Sequence, residues 1–275
     1  MSLVVQSNVA SMFAQSQLNK TQSSLAKNFQ KLSSGFRIND ASDDAAGLGI
    51  SKSMNAQVKS MGVAERNTND GISMVQTADG AADQLHEILT RMRELAVQAS
   101  NGGLGTNDLT NLDTEFQANL QEIDRIATST KFNGQNLLSG SAAAVNFQVG
   151  IGTAGTDRIA VSFGGADSTG LGVNGATVTS FANAQTSITN IDTAIQNLST
   201  VREGFGSAMN RLNYAANNLQ ASQTNLSSAM SRIRDVDIAK ETADMSKNQV
   251  LSQAGASILA QANQTPQTAM QLLRG

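Results

Sequence analysis

The fold is decided by residues 18–50, LNKTQSSLAKNFQKLSSGFRINDASDDAAGLGI, where one long helix ends and the next begins. Large apolar residues recur at helical spacing through the first part, at Leu18, Leu25, Phe29, Leu32 and Phe36. The apolar stripe is too narrow to be buried on more than one side, so this helix needs a partner helix. Gly35 and the polar run 39–44 then predict a break and a new helix N-terminus near Asp43.

Four further segments have helical periodicity. Residues 43 to about 100 form one long helix, whose second half carries a coiled-coil heptad pattern through Val75, Ala78, Ala82, Leu85, Leu89 and Met92. A glycine-rich break at 100–105 precedes a third helix that ends at Asn133 and Gly134. A second very long helix covers 181–233. The last helix covers 238 to about 263, and Pro266 is predicted to kink or restart it.

The middle of the chain has a different periodicity. Apolar residues alternate with polar ones after Gly140, at Val145, Phe147, Val149 and Ile151, and again at Ile159, Val161 and Phe163. This alternation predicts a β-hairpin. Residues 164–179 are rich in Gly, Ser, Thr and Asn and predict small loops or short strands.

The predicted fold class is mainly α. We expect an elongated antiparallel helical coiled coil that pairs the N- and C-terminal segments, with a small central β-hairpin region. Residues 1–42 and 236–275 are predicted to form a discontinuous terminal helical domain. Residues 43–140 and 180–235 form the coiled-coil domain, and residues 141–179 form the hairpin and glycine-rich loops at its tip.

The composition excludes several functions. The chain has no Cys and a single His, which argues against disulfides, thiolate metal sites and Cys- or His-centred catalysis. Its net charge of -3 provides no basic field for nucleic acid and no polybasic membrane patch. No segment has the length and apolarity of a membrane span or a cleaved signal. We therefore expect no enzymatic activity, no cofactor, and neither nucleic acid nor membrane as a partner.

Three motifs suggest sites but have simpler interpretations. Residues 150–155 match G-x-G-x-x-G, yet a strand rather than a helix follows, so a hairpin turn is favoured over a dinucleotide loop. Asp40, Asp43 and Asp44 are interpreted as helix-capping residues rather than a cation site, because the alternating ligand pattern is missing. His86 lies among polar residues and is interpreted as a solvated surface residue.

Both ends of the chain resemble bacterial flagellin. Residues 18–47, 66–81 (RNTNDGISMVQTADGA) and 91–100 (RMRELAVQAS) are similar to the flagellin N-terminal signature, and residues 226–275 to its C-terminal one. The resemblance omits only about residues 141–180, where many flagellins insert large outer domains. It implies a subunit that self-polymerises into the extracellular flagellar filament for swimming motility. A hook-filament junction protein of the same apparatus is the alternative.

The resemblance also implies partners and site residues. Besides further copies of the chain, these partners are a flagellar export chaperone for the type III route, the filament cap, the hook-filament junction proteins, and host innate immune receptors that sense flagellin. The receptor contact falls on Arg91, Leu95 and Glu115. The polymerisation core comprises Leu18, Leu25, Phe29, Leu32, Phe36, Ile258, Leu259, Leu272 and Leu273.

Overall fold

The computed structural model describes residues 7–140 and 144–274, with side chains described as far as residue 264. Within these residues the chain forms α1 (Val9–Ser34), α2 (Ala45–Ala99), α3 (Thr106–Ser129), β1 (Lys131–Phe132), β2 (Gln135–Asn136), β3 (Val145–Gln148), β4 (Arg158–Val161), α4 (Phe181–Arg234) and α5 (Ile238–Arg274). The mainly α class is confirmed. None of the described helices has a stretch that is both long and apolar enough to cross a membrane.

The chain divides into two compact units. Residues 1–56 and 225–275 make up the first, here called the terminal unit, and residues 57–224 make up the second, the central unit. The division falls inside α2 and α4, which continue without interruption through it. The domain boundaries predicted near residues 42 and 236, which lie at the turns between helices, stay a prediction.

In the terminal unit, α1 and α5 pack side by side in opposite directions. Near the start of α1, the Asn8 side-chain amide donates to the carbonyl of Ala262 at 2.8 Å. Near its end, the Asn28 amide donates to Glu241 Oε1 at 2.8 Å and accepts from the Asn248 amide at 3.0 Å. Because low numbers on α1 meet high numbers on α5, the pairing is antiparallel. The predicted pairing of the N- and C-terminal segments is confirmed.

The break between α1 and α2 is built from local polar contacts. Gly35 has a φ of 73° and ends α1, donating its N–H to the carbonyl of Lys31, a left-handed cap that glycine adopts without strain. The Asp44 carboxylate accepts from the Gly47 N–H at 2.8 Å, and Asp43 accepts from the Asn39 N–H at 3.0 Å. The capping interpretation is confirmed for Asp44, whereas Asp43 and Asp40 accept from N–H groups of the turn before α2.

In the central unit, one continuous core joins α2, α3, α4 and the middle of the chain. Its α2 members are the predicted heptad positions, all buried: Val75, Ala78, Ala82, Leu85, Leu89 and Met92. The rings of Phe163 and Phe205 meet at 5.6 Å between centroids. The 164–180 stretch forms loops, as expected. These loops also contribute buried residues, Ala166, Leu171, Val173, Ala176 and Val178.

Two acids of α3 hold these loops in place. Asp124 accepts from the Ser168 N–H at 2.8 Å and from its hydroxyl at 3.0 Å, while Asp113 accepts from the Val178 N–H at 2.8 Å. These bonds satisfy backbone donors that burial would otherwise leave unpaired. The loops are therefore a structured layer of the core despite their glycine content.

The predicted hairpin is confirmed as β3 and β4. The two strands are antiparallel, with Val145 opposite Val161 and Phe147 opposite Ile159. A second, smaller hairpin joins β1 to β2 through Asn133 and Gly134, whose φ values are 49° and 81°. The sequence pattern does not predict this hairpin, because two-residue strands are too short to show alternation. The predicted end of α3 at Asn133 is wrong, since the helix ends at Ser129.

Helix α5 also differs from the sequence expectation. The predicted end near residue 263 is wrong, because α5 continues through Pro266 to Arg274. A proline removes one backbone hydrogen bond but does not have to end a helix. The residues that follow it include Gln, Ala, Met and Leu, which are good helix formers. A kink at this proline stays a prediction.

Ion pairs fix the antiparallel register of α2 and α4 in the central unit. Arg202 donates to Asp79 at 3.0 Å and pairs with Asp83 at 2.9 Å, and its side chain is only 33% exposed. Sliding α4 by one heptad along α2 places Arg202 opposite positions 72 and 76 or positions 86 and 90, none of which is acidic. A partly buried arginine without a counter-charge is unfavourable. Arg202 therefore favours the observed register over its heptad-shifted alternatives.

We expect Arg202→Ala to lower the free energy of unfolding by about 1 kcal/mol, the upper range for partly exposed ion pairs. In an Asp79→Ala, Asp83→Ala background the same substitution costs less, because the counter-charges are gone. Urea unfolding followed by circular dichroism measures both values. Breaking the exposed pair between Arg125 and Glu122 within α3 is the matched control. Equal losses for Arg202→Ala in both backgrounds would contradict a role for these pairs.

Candidate assembly and recognition surfaces

The contact between α1 and α5, here called the terminal seam, is made of small and polar residues. The buried residues of α1 lie seven positions apart and are Ala14, Thr21 and Asn28. Opposite them on α5, the half-buried positions include Asn248, Ser252, Gly255 and Ala262. A Cβ added to Gly255 would lie 3.4 Å from Leu18 Cδ1, which shows how closely the helices approach. This seam hides few large apolar side chains.

Asn28 is the polar centre of the terminal seam. It is 7% exposed, and its amide both donates to Glu241 and accepts from Asn248. A buried polar side chain in a helical seam fixes the register of the helices, provided that its hydrogen bonds are satisfied. The three-residue network therefore determines which face of each helix points outward.

The large apolar side chains of α1 and α5 point outward instead. Eight of them among the described side chains are between 46% and 74% exposed: Val9, Met12, Phe13, Phe29, Ile238, Val250, Leu251 and Ile258. Single exposed apolar residues are ordinary, but a set of this size on two paired helices is typical of an interaction surface.

The structure divides the predicted polymerisation residues into groups. Four are half-buried along the terminal seam: Leu18, Leu25, Leu32 and Leu259. Phe29 is 51% exposed and Ile258 is 57% exposed. The side chains of Leu272 and Leu273 lie outside the described residues.

Phe36 belongs to a joint that connects four helices. The Arg234 guanidinium lies 3.9 Å from the centroid of the Phe36 ring, a cation–π geometry. Beside it, the Arg37 N–H donates to the carbonyl of Arg234 at 2.6 Å, and the Val236 N–H donates to that of Gly35 at 3.0 Å. The α1–α2 and α4–α5 connections are therefore bonded to each other. Phe36 is half-buried by this contact within the chain.

Arg91 and Glu115 share one exposed surface of α2 and α3. Arg91 donates through Nε and Nη2 to Glu115 Oε1 at 2.9 and 2.8 Å, and through Nη1 to Glu94 at 3.0 Å. The hydrogen bonds to Glu115, followed by those to Glu94, raise the pKa of Arg91 above its ordinary value. The side chains of Arg91 and Glu115 are 50% and 49% exposed. Leu95, by contrast, is 1% exposed and lies in the core.

The glycine motif at 150–155 forms the loop of the larger hairpin. A Cβ on Gly150 would lie 2.0 Å from Asp157 Oδ1, and one on Gly152 would lie 2.5 Å from Oδ2. The glycines therefore make room for the Asp157 carboxylate, which accepts from the Ala154 N–H at 3.1 Å. One turn of 3-10 helix at Gly155–Asp157 leads into strand β4, and no α-helix follows the motif, so the hairpin-turn interpretation is confirmed. Within the described residues, no cluster of three His, Asp or Glu side chains is arranged to hold a metal ion.

Comparison with known proteins agrees with this arrangement. Residues 5–143 match the bacterial flagellin N-terminal helical region, and residues 188–273 match the bacterial flagellin C-terminal helical region. A flagellin from Halalkalibacterium halodurans is 41% identical over 272 residues, covering 99% of this chain and 100% of that protein. A Bacillus subtilis flagellin is 42% identical over 299 residues, covering 97% and 98%.

Solved structures give the same result. The crystal structure of Bacillus cereus flagellin matches with a TM-score of 0.51 and 36% identity, covering 60% of this chain and 94% of that one. A putative flagellar hook-associated protein from Vibrio parahaemolyticus has a TM-score of 0.60 over 70% of this chain and 100% of that one, but is 14% identical. That likeness shows the fold alone.

A pair of helices that exposes its large apolar side chains is typical of a structural protein that assembles with other molecules. The chain belongs to the bacterial flagellin family, with matches along almost its whole length. It is therefore a subunit of the bacterial flagellar filament, the structure of swimming motility. Flagellins are structural proteins rather than enzymes, and the hook-filament junction alternative is not favoured.

Asn28→Ala removes both hydrogen bonds at the centre of the terminal seam. We expect it to lower the temperature at which assembled filaments dissociate, because Glu241 and Asn248 lose a partner at a cost of about 1–3 kcal/mol. Asn19→Ala, on the exposed side of α1, is the matched control. Dissociation is followed by light scattering on heating. Equal dissociation temperatures for the two variants would show that the buried network does not stabilise the helix pair.

Proposed function

We propose that copies of this chain polymerise through the outward apolar faces of α1 and α5. The observation that carries the proposal is the arrangement of the terminal seam, which hides small and polar residues and leaves eight large apolar side chains exposed. Covering one such side chain by a neighbour contributes on the order of 1 kcal/mol. Repeated over many side chains, this burial supplies the driving force that the helix pair lacks by itself.

The predicted polymerisation residues then have two different roles. Phe29 and Ile258 contact neighbouring subunits, since both are more than half exposed. Leu18, Leu25 and the other half-buried leucines hold α1 against α5 and so keep the outward faces aligned. Phe36 acts within the chain, through its contact with Arg234.

The same surface supports the proposed export partners. The chain is secreted through the flagellar type III channel, and an export chaperone covers the C-terminal segment before assembly. The exposed apolar residues of α5, among them Val250, Leu251 and Ile258, are the kind that a chaperone shields from non-specific association. The filament cap and hook-filament junction proteins contact the same terminal helices at the two ends of the filament.

The surface around Arg91 and Glu115 supports recognition by host flagellin-sensing receptors. Both side chains are about half exposed, and their ion pair holds them in one geometry. Leu95 lies beneath this surface, so its role in recognition is to support α2 rather than to contact a receptor.

Phe29→Ser and Ile258→Ser each remove an exposed apolar side chain from the proposed interface. We expect each substitution to raise the critical concentration for seeded polymerisation about tenfold, and the double variant to abolish filaments, because the lost burial is worth about 1–2 kcal/mol per site. Asn19→Ser on α1 is the matched control. Light scattering and electron microscopy measure assembly. Normal filaments from the double variant would overturn the proposal.

Arg91→Ala and Glu115→Ala test the recognition surface. We expect each to weaken activation of a flagellin-responsive reporter cell line by monomer about tenfold while leaving the melting temperature nearly unchanged, because exposed ion pairs stabilise little. Arg125→Ala on the same helix as Glu115 is the control. Leu95→Ala should instead lower the melting temperature, through a core cavity costing about 2–5 kcal/mol. Unchanged activation by both the Arg91 and Glu115 variants would contradict recognition at this surface.

A further inference from the structure

A second apolar surface lies in the central unit, between the 149–159 hairpin loop and α4. It is an open groove of about 730 Å³. Its floor is formed by Val149, Ile159 and Leu219, which are 7–8% exposed. Its walls are Ile151, 44% exposed, and Tyr214, 74% exposed. A tyrosine with most of its ring in solvent beside an exposed isoleucine is the type of surface found at the centre of protein interfaces.

The rim of the groove is basic. Arg158 and Arg211 both line it. Arg158 donates to the Gln148 side-chain oxygen at 3.2 Å, and Arg211 has no ion pair or hydrogen bond among the described residues. Asp157 lines the groove as well, but its carboxylate is turned into the glycine loop, where it accepts from the Ala154 N–H at 3.1 Å. The groove therefore fits an apolar side chain accompanied by carboxylates.

The terminal unit carries a segment with this chemistry at residues 235–238, here called the acidic corner. Ile238 is 65% exposed at the first position of α5. Asp235 is exposed, and its carboxylate has no partner among the described residues. Asp237 caps α5 by accepting from the Lys240 N–H at 3.1 Å and is also exposed. An exposed apolar side chain thus follows two exposed carboxylates within three residues.

We propose that the groove of one subunit receives the acidic corner of a neighbouring subunit. Ile238 lies between Ile151 and Tyr214, and Asp235 pairs with Arg211. This inference rests on the proposed function, because it requires copies that pack against each other. Every copy carries both surfaces, and the two surfaces differ, so the contact is head-to-tail. A contact of that kind builds an open helical polymer when the rotation between successive copies does not close into a ring.

The second copy is the occupant that the charges favour. The basic rim matches the carboxylates of the corner, and an arginine–carboxylate pair that is shielded from water on assembly is stronger than an exposed one. Tyr214 and Arg211 are of the residue types that contribute most at interfaces. In this contact the burial of Ile238 stabilises the complex. The charge pair between Asp235 and Arg211 specifies how the two subunits are oriented.

A charge swap tests the pairing in the full chain. Arg211→Glu and Asp235→Arg, each alone, should raise the critical concentration for seeded polymerisation at least tenfold, because like charges then face each other. The variant carrying both substitutions should restore polymerisation to within about threefold of the unaltered chain. The matched control is Arg66→Glu, which changes the net charge by the same amount as Arg211→Glu. Arg66 is an exposed residue of α2 outside the groove. Circular dichroism melts of each monomer establish that folding is retained.

The outcomes separate the contact from the proposed function. If the unaltered chain forms no filaments, the proposed function fails. If it polymerises while Arg211→Glu and Asp235→Arg polymerise equally well, the groove contact is wrong. If both single variants polymerise poorly and the double variant is not rescued, the groove has a different occupant. That result would overturn the pairing of Arg211 with Asp235. If Arg66→Glu raises the critical concentration as much as Arg211→Glu does, the effect comes from net charge alone. That result would overturn the pairing as well.

Discussion

Asn28 and the small residues around it let α1 and α5 approach closely, and this contact determines what the terminal unit presents to its surroundings. The buried positions of α1 in this seam are Ala14, Thr21 and Asn28, and Leu18, Leu25, Leu32 and Leu259 are half-buried along it. The seam does not take in the eight exposed apolar side chains described on the two helices. They remain on the outside, where only another molecule covers them. Assembly is thus a consequence of how the helix pair is packed.

The central unit, in contrast to the terminal unit, keeps most of its large apolar side chains inside. Its buried heptad positions on α2 and α4 combine alanines with large apolar residues such as Leu89 and Phe205, and the middle of the chain folds onto them, so this unit hides most of its apolar surface by itself. Polar residues serve there to specify position. Arg202 selects one register through Asp79 and Asp83, and Asp124 fixes the loop at Ser168. One chain therefore combines a unit with a self-sufficient core and a unit whose apolar surface needs partners.

Several features followed from sequence because they depend on local patterns. Helical periodicity located α2 and α4 within a few residues, alternation located β3 and β4, and Gly35 with Asp44 marked the break between α1 and α2. Other features depend on contacts between distant residues and left no local signal. These include the burial of the loops at 164–180, the contact of Arg234 with Phe36, and the groove beside Tyr214.

The sequence by itself determined the long helices, the larger hairpin, the antiparallel pairing of the two ends and the flagellin family, since these rest on periodicity and on motifs read along the chain. Only the tertiary structure decided which apolar residues face inward. Leu18 and Phe29 belong to the same stripe, yet one lies at the terminal seam and the other is exposed. The physical reason is that the contact with α5 is centred on Ala14, Thr21 and Asn28 rather than on the apolar stripe, so part of the stripe is left outside it. Which part of it is buried depends on the residues of the partner helix.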